Sequence, residues 1–568
     1  MNKSTKSGFS IIQIALFIGI LSDILLRATP WGLNVLLFNA AFVAGMGALL
    51  WRYRPEYLDA KTYALLGAQL FFASMFVWRD SIELRIADSI AIVVIMSVNF
   101  LPRLKVNASI AGVAHYIIGF ISSTFNAVFG TFALVFADIE WSSVPRSGTS
   151  RHVFAVLRGV AVAAPIVLIF GALFMAADAL YQGWVESVIN IEPEIIFTHV
   201  LLAGVFAWAT AGYLRGIISS KTIGFAPVSE NSAPPAGPSV TKVADLRTDT
   251  AENDAVLPNN RTAFEHLSIS DAPDIPEKAE EDPKAEKTKF QWAKIENTLL
   301  PPVFTLGAVE IGVILGLIDL LFVSFVVFQV PYLFGGIELV QNTPDFKLAE
   351  YARRGFGELV AVSALTLPML LAAHWLIRRA SRAAITLFKG LAGLQIALLF
   401  VIMASAVQRL VLLTGDLGYG LTTVRLYPMI FMVWLAVVFV WFTLTVLRGF
   451  RSRFAWGALW SAFVVLGAAH ALNPDALIVK TNLELMRQGR PFDAQYNSSL
   501  SDDAIPVLLE SFDRLSDLDQ QIFVKNAVNR YCKSRDNIDL RGWNLSRSLF
   551  INSISSNKIL VSQISECR

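Results

Sequence analysis

Between residues 8 and 472 the apolar positions gather into runs of roughly 15 to 27 residues divided by short polar stretches, about the length a helix needs to cross the hydrocarbon core of a bilayer. The clear runs lie at 8–26, 32–51, 63–78, 87–101, 159–176, 195–214, 304–328, 359–377, 390–407, 427–447 and 455–472, with a doubtful one at 110–136. In lipid each segment must satisfy its own backbone polar groups, so such runs are read as helices. The pattern predicts an all-α fold: a polytopic transmembrane helical bundle of 11 to 13 spans with a small helical C-terminal domain. Its expected parts are an N-terminal transmembrane bundle at 1–214, a loop at 215–298, a C-terminal transmembrane bundle at 299–472 and a helical domain at 473–568.

The basic residues assign sides. Arg52, Arg54 and Lys61, then Arg103 and Lys105, then Arg378, Arg379, Arg382 and Lys389, then Arg448, Arg451 and Arg453 mark cytoplasmic connections under the positive-inside rule. Arg215, Lys221, Lys287, Lys289 and Lys294 flank the long loop and place it on the same side. The acidic connection 178–194 suits the outer face. These assignments conflict if 110–136 crosses once, because Arg103 and Lys105 then oppose Arg146, Arg151 and Arg158. A re-entrant hairpin, entering and leaving on the cytoplasmic side, resolves the parity, and its glycines (Gly112, Gly119, Gly130) and polar centre (Ser122, Ser123, Thr124, Asn126) fit that shape. A single crossing that violates the charge rule is the alternative. With the N-terminus cytoplasmic and an odd number of crossings, the segment after Leu472 falls outside, as in a protein of a bacterial inner membrane with a periplasmic C-terminal domain.

The two polar segments differ in kind. The loop carries FAPVSENSAPPAGPSV and EKAEEDPKAEKTK without any apolar period to bury, and is expected to be a disordered tether. The C-terminal segment reads as folded. Asn473-Pro474 starts a helix that Gly489 ends, Ser501 and Asp502 are placed to cap a second, and Val524, Ala527, Val528 and Tyr531 share one face of a third over 517–531.

Composition sharpens this picture in two respects. Hydrophobic residues make up 55% of 568, above the usual share for a soluble domain, and the net charge of +2 gives no sign of a nucleic-acid partner. The expected partner is the lipid bilayer, with a membrane or envelope protein as a further candidate. The first run has the outline of a signal peptide but no small-x-small cleavage site before Arg27, so it reads as an uncleaved span. Both cysteines, Cys532 and Cys567, fall in the C-terminal segment, where an oxidising compartment permits a disulfide.

Several strings resemble an uncharacterised family of bacterial polytopic inner-membrane proteins, a domain-of-unknown-function family with a C-terminal extracytoplasmic helical segment. They are Trp31-Gly32-Leu33-Asn34, Trp78-Arg79-Asp80-Ser81, the stretch from Gly171 through Phe174 to Asp178, Tyr351 through Arg353, Arg354 and Glu358 to Leu359, Gln408-Arg409-Leu410, Tyr419-Gly420-Leu421-Thr422, Arg425-Leu426-Tyr427 and Asn473-Pro474-Asp475-Ala476. The resemblance implies an architecture and no activity. The insertion at 215–297 departs from the shorter connection usual in that family.

Ionisable groups within spans are costly and mark candidate sites. Asp319 is the deepest, suited either to a buried pair between helices or to handling a proton or ion. Arg79, Asp80, Asp178, Arg353, Arg354, Glu358, Arg409 and Arg425, with Asp23 and Asp88, stand at predicted outer span ends. They are either interfacial anchors or, if convergent, a basic, carboxylate-balanced pocket beneath the C-terminal domain. No HExxH, GxSxG or P-loop occurs, and His115, His152, His199, His266, His374 and His470 lack ligand spacing, so no catalytic residue, metal or cofactor is expected. Three function classes follow in order: a sensor or regulatory scaffold of the cell envelope, a transporter or lipid-handling protein using Asp319, and an integral membrane enzyme.

Overall fold

A computed structural model describes residues 3–140, 193–219, 306–334, 356–377, 381–416, 420–536, 539–557 and 560, all within one compact unit. The run at 159–176, most of the long loop, Asp178, Arg353, Arg354 and Cys567 lie outside the described residues. The described elements are helical, apart from one isolated bridge between Leu306 and Ile377.

The first group is α1 (Lys3–Leu26), α2 (Leu33–Tyr53), α3 (Ala60–Trp78), α4 (Ile82–Val98), α5 (Val113–Ala133) and α6 (Pro193–Ile218). The second is α7 (Ala308–Phe334), α8 (Phe356–Leu376), α9 (Arg382–Val411), α10 (Thr423–Thr445) and α11 (Phe454–Leu472). These eleven are long and apolar enough to cross a membrane, which makes the chain a multi-pass membrane protein.

Local chemistry sets the turns. Between α1 and α2 the Asn34 side chain accepts from the N–H of Gly32 at 2.7 Å and donates to the carbonyls of Leu25 and Ala28 at 3.1 and 2.8 Å, so one amide satisfies a buried reversal. Asp59 caps α3 by accepting from Thr62 N–H at 2.8 Å.

One end of the helix array is basic. Tyr53 at the end of α2 bonds to Ser10 and Lys6 in the opening turns of α1, Arg54 donates to the Ile218 carbonyl at the end of α6, and Lys61 at the start of α3 bonds to Asn107 and Ser109 beyond α4. The opposite end carries the C-terminal helices.

The region 110–136 corrects the hairpin expectation. It is one continuous helix, α5, closed by a π-helical turn at Leu134–Asp138. Its two ends nevertheless meet the same basic end. Gly119 sits against Ser97 and Leu101 at the end of α4, whereas Asp138 bonds to Ser4 at the start of α1 and to Arg215 at the end of α6. The helix passes obliquely over α6, where Gly130 and Gly212 bring the backbones together. α5 thus lies across its neighbours with no break in its backbone.

Past Leu472 come α12 (Pro474–Arg487), α13 (Ala494–Ser499), α14 (Ile505–Glu510), α15 (Asp517–Asp536) and α16 (Leu545–Ser556). Ile478, Val479, Ile505, Phe523, Ala527, Phe550 and Ile554 close their core, which also takes in Leu421 and Leu426 from the α10 end. Asn473 caps α12, with Pro474 in its first turn, as the sequence predicts. Ser501 and Asp502 do not cap α14, whose N-cap is Ala504 without a side-chain bond. Their side chains are engaged elsewhere.

Candidate functional site

The C-terminal helices sit on the ends of α2, α3 and α10 through bonds that backbone geometry prepares. Gly32 lies so close to the Trp543 carbonyl that an added Cβ would stand 2.3 Å from its oxygen, and Leu33 N–H donates to the same carbonyl at 2.9 Å. Asn544 caps α16 with its amide oxygen while its amide nitrogen donates to the carbonyls of Phe76 and Arg79 at 2.8 and 2.9 Å. On the α10 side, Asn482 accepts from Leu421 N–H and returns a bond to its carbonyl, and Tyr496 accepts from Thr423 N–H.

At this joint the Arg79 to Ser81 stretch leaves α3 in extended conformation, turning backbone and side chains toward the C-terminal helices. Arg79 pairs with Asp503 at 3.1 Å, and Asp80 donates its N–H to the same carboxylate at 2.8 Å. The Asp80 carboxylate in turn holds Arg85 at 2.5 Å and Arg547 at 2.9 Å. Asp502 faces Arg530 at 3.4 Å and Arg547 at 3.9 Å, and Asp475 accepts from the Ser501 hydroxyl at 2.5 Å. One layer deeper, His470 and Asp88 form a fully buried pair at 3.0 Å. Trp78 stacks on His470, and Arg79 lies over Trp78 while donating to the His470 carbonyl.

These groups surround a cavity of about 520 Å³ whose charged lining is Asp80, Glu83, Asp475 and Asp502 against Arg85, Arg530 and Arg547. Burial pushes the Asp475 carboxyl up to about 6, with the like charges of Glu83 and Asp503 adding to it and the Ser501 bonds opposing. Burial also raises Asp502 to about 6, reinforced by the Asp80 charge and opposed by Arg530 and Arg547. Four carboxyls face three guanidiniums, so a proton on either raised carboxyl brings the cavity to charge balance. It suits a small polar molecule bearing both a cationic and an anionic group, since guanidinium forks grip carboxylate or phosphate and the carboxylates accept from an ammonium.

Of the residues singled out in the sequence, the structure brings Arg79 and Asp80 to this joint. Arg409 is buried at the end of α9, Arg425 donates to the Gly420 carbonyl at the start of α10, and Glu358 is exposed in the first turn of α8. None of these three lines the cavity. Asp319 is buried on α7 far along the chain from it. Arg85, Asp475, Asp502, Asp503, Arg530 and Arg547 were not singled out as site residues in the sequence; the adjacent Asp502-Asp503 pair is the one local signal, and it resembles a helix cap. Cys532, near the end of α15, is disulfide-bonded. Ionisable side chains elsewhere in the first half also pair. Arg215 and Asp138 meet at 2.7 Å, both almost fully buried, Asp23 meets His199 at 2.5 Å, and Arg27 stands 3.6 Å from Asp23. No group of three metal-ligating side chains occurs among the described residues.

Compared with known proteins, the chain matches a family model described as a domain of unknown function (DUF4153) over residues 66–244 and 272–511. The match includes Arg79, Asp80, Asp475, Asp502 and Asp503 and stops short of Arg530 and Arg547. No curated protein and no solved structure matches the chain.

Proposed function

The chain belongs to the DUF4153 family of unknown function, and we propose that this member is a receptor-like regulatory scaffold of the cell envelope, holding a small zwitterionic ligand in the joint cavity. The observation that carries the proposal is the origin of the lining: Asp80, Glu83 and Arg85 come from span ends, and Asp475, Asp502, Arg530 and Arg547 from the helices stacked on them. A ligand that bonds to both sides alters the balance of ion pairs joining them, and a shifted joint is a signal that an envelope partner protein can read.

In this proposal the protein resides in a bacterial inner membrane with the N-terminus cytoplasmic and the C-terminal helices periplasmic. The basic end of the helix array, opposite the joint, supports that orientation. A reporter that works only in the cytoplasm, fused after Leu472, stays silent on this arrangement; activity there overturns it. Cys532 then faces an oxidising space and pairs with Cys567, so thiol labelling of denatured, unreduced protein finds neither free.

The ligand is tested by native mass spectrometry of the full chain in mild detergent. A small polar molecule accompanies the unaltered protein and is lost from Arg530→Ala with Arg547→Ala, while the melting midpoint falls only modestly. Absence of any such molecule, or its retention by the double variant, counts against the cavity. A second class, a transporter, is favoured by one separate observation at Asp319.

A further inference from the structure

In the second helix group, Asp319 and Gln395 each leave two buried side-chain polar atoms unbonded among the described residues. Asp319 on α7 is 3% exposed and neither carboxylate oxygen is bonded; Gln395 on α9 is fully buried and neither its amide oxygen nor nitrogen is bonded. Elsewhere in folded proteins such groups find partners, so an orphaned pair calls for a physical cause.

The packing puts them at one depth. On α7 and α9, which lie side by side, Gly312 faces Leu387 with an added Cβ 3.0 Å from Cδ2. Asp319 follows seven residues later on α7, on the face of Gly312, and Gln395 eight later on α9, at a similar depth and about 80° round the helix from Leu387. Leu315, Phe322, Ile396 and Leu399 are the apolar company of this layer.

A carboxylate cannot stay charged and alone in such surroundings. The other ionisable groups of α7 and α9 are Glu310, Arg382, Lys389 and Arg409, each at least six residues along its helix from Asp319 or Gln395, about 9 Å at the helical rise. No cation among the described residues bonds to Asp319. One negative charge with carboxylate and amide oxygens around it is the donor set of a small hard cation of single charge.

We propose that Asp319 and Gln395 form a binding site for one monovalent cation, either a sodium ion or a proton, between α7 and α9. The site is independent of the joint cavity and stands or falls without it.

The test uses the full chain in mild detergent, with melting followed in sodium chloride and in choline chloride at equal ionic strength, alongside modification by a hydrophobic carbodiimide that attacks protonated buried carboxyls. If the cation is sodium, the midpoint rises by several degrees as sodium goes from micromolar to tens of millimolar, and sodium protects Asp319 from modification at least tenfold. If it is a proton, sodium has no effect and Asp319 is modified increasingly as pH falls. Asp319→Asn abolishes either response. Gln395→Ala keeps the carboxyl and so keeps its modification, but loses the sodium protection, or shifts the pH dependence in the proton case. No modification of Asp319 together with no sodium effect overturns the proposal, as does a sodium effect that survives in both Asp319→Asn and Gln395→Ala.

Discussion

In the helices before residue 219, several buried polar side chains meet polar partners, although the Asn99 amide at the end of α4 has none among the described residues. Asp138 holds Arg215 at 2.7 Å, Gln69 donates to Asn39 at 3.0 Å, and Asn34 bonds four backbone groups across a turn. In α7, α8 and α9, Asp319 and Gln395 have none among the described residues. Gly212 and Gly130 let α5 and α6 touch backbone to backbone; none of the described glycines of α7, α8 and α9 meets another helix's backbone, though Gly47, Gly67 and Gly204 of the first group also face open space. Lipid offers little hydrophobic drive for helix association, so close packing and interhelical bonds must hold such a bundle. The first group is built by these means. The second relies on an apolar core centred on Phe388, Leu399, Phe439 and Phe442, and its orphaned polar layer has another use.

The contrast is most sharply tested at Asp138 and Arg215. Removing either partner alone, by Asp138→Leu or Arg215→Leu, leaves the other charge buried and should cost about 3–5 kcal/mol in unfolding free energy, whereas the double change should cost much less. Chemical unfolding in detergent gives all three values. Equal losses in the single and double variants would show that the pair does not act as a unit.

Next in size is the pH response of the joint, where pairing is incomplete. Asp475 and Asp502 titrate near 6 when folded and near the ordinary carboxylate value when unfolded. A raised folded pKa means the native state holds the proton more tightly, so this contribution is fully present below about pH 4 and is lost as pH rises through about 6. The upper bound is about 3 kcal/mol for each group, at 1.36 kcal/mol per unit. The melting midpoint should therefore rise between pH 7.5 and pH 5, and Asp475→Asn with Asp502→Asn should flatten the profile. An unchanged slope in that double variant would place the response elsewhere.

Gly212→Ala inserts a methyl where an added Cβ stands 2.3 Å from the Asn126 carbonyl oxygen, and is expected to cost about 1–3 kcal/mol. Gly393→Ala meets open space and should be neutral or stabilising by up to about 1 kcal/mol.

The smallest pair of effects has opposite signs. Gln69→Leu removes a satisfied interhelical bond and should destabilise by about 1 kcal/mol. Asp319→Leu, in sodium-free buffer at high pH, removes an unpartnered buried charge and should stabilise by a similar amount, about 1–2 kcal/mol. Destabilisation by both would erase the distinction between the two helix groups.

By itself the sequence determined the helical class, the positions of the apolar helices and the basic character of their connections, because the demand of lipid is local: each segment must satisfy its own backbone and cover itself with apolar side chains. It also marked Asn473-Pro474 as a helix start and Asp319 as an anomaly, since both are legible within a few residues. Tertiary structure decided which charges are partnered. Arg79 meets Asp503 and Asp88 meets His470 across 424 and 382 residues, and no period or spacing announces a pairing selected by how helices stand beside one another. The same holds for α5, whose composition is that of a span. Its course across α6 depends on what its two ends touch, Ser97 and Leu101 at one and Ser4 and Arg215 at the other, and these contacts exist only once the neighbouring helices are in place.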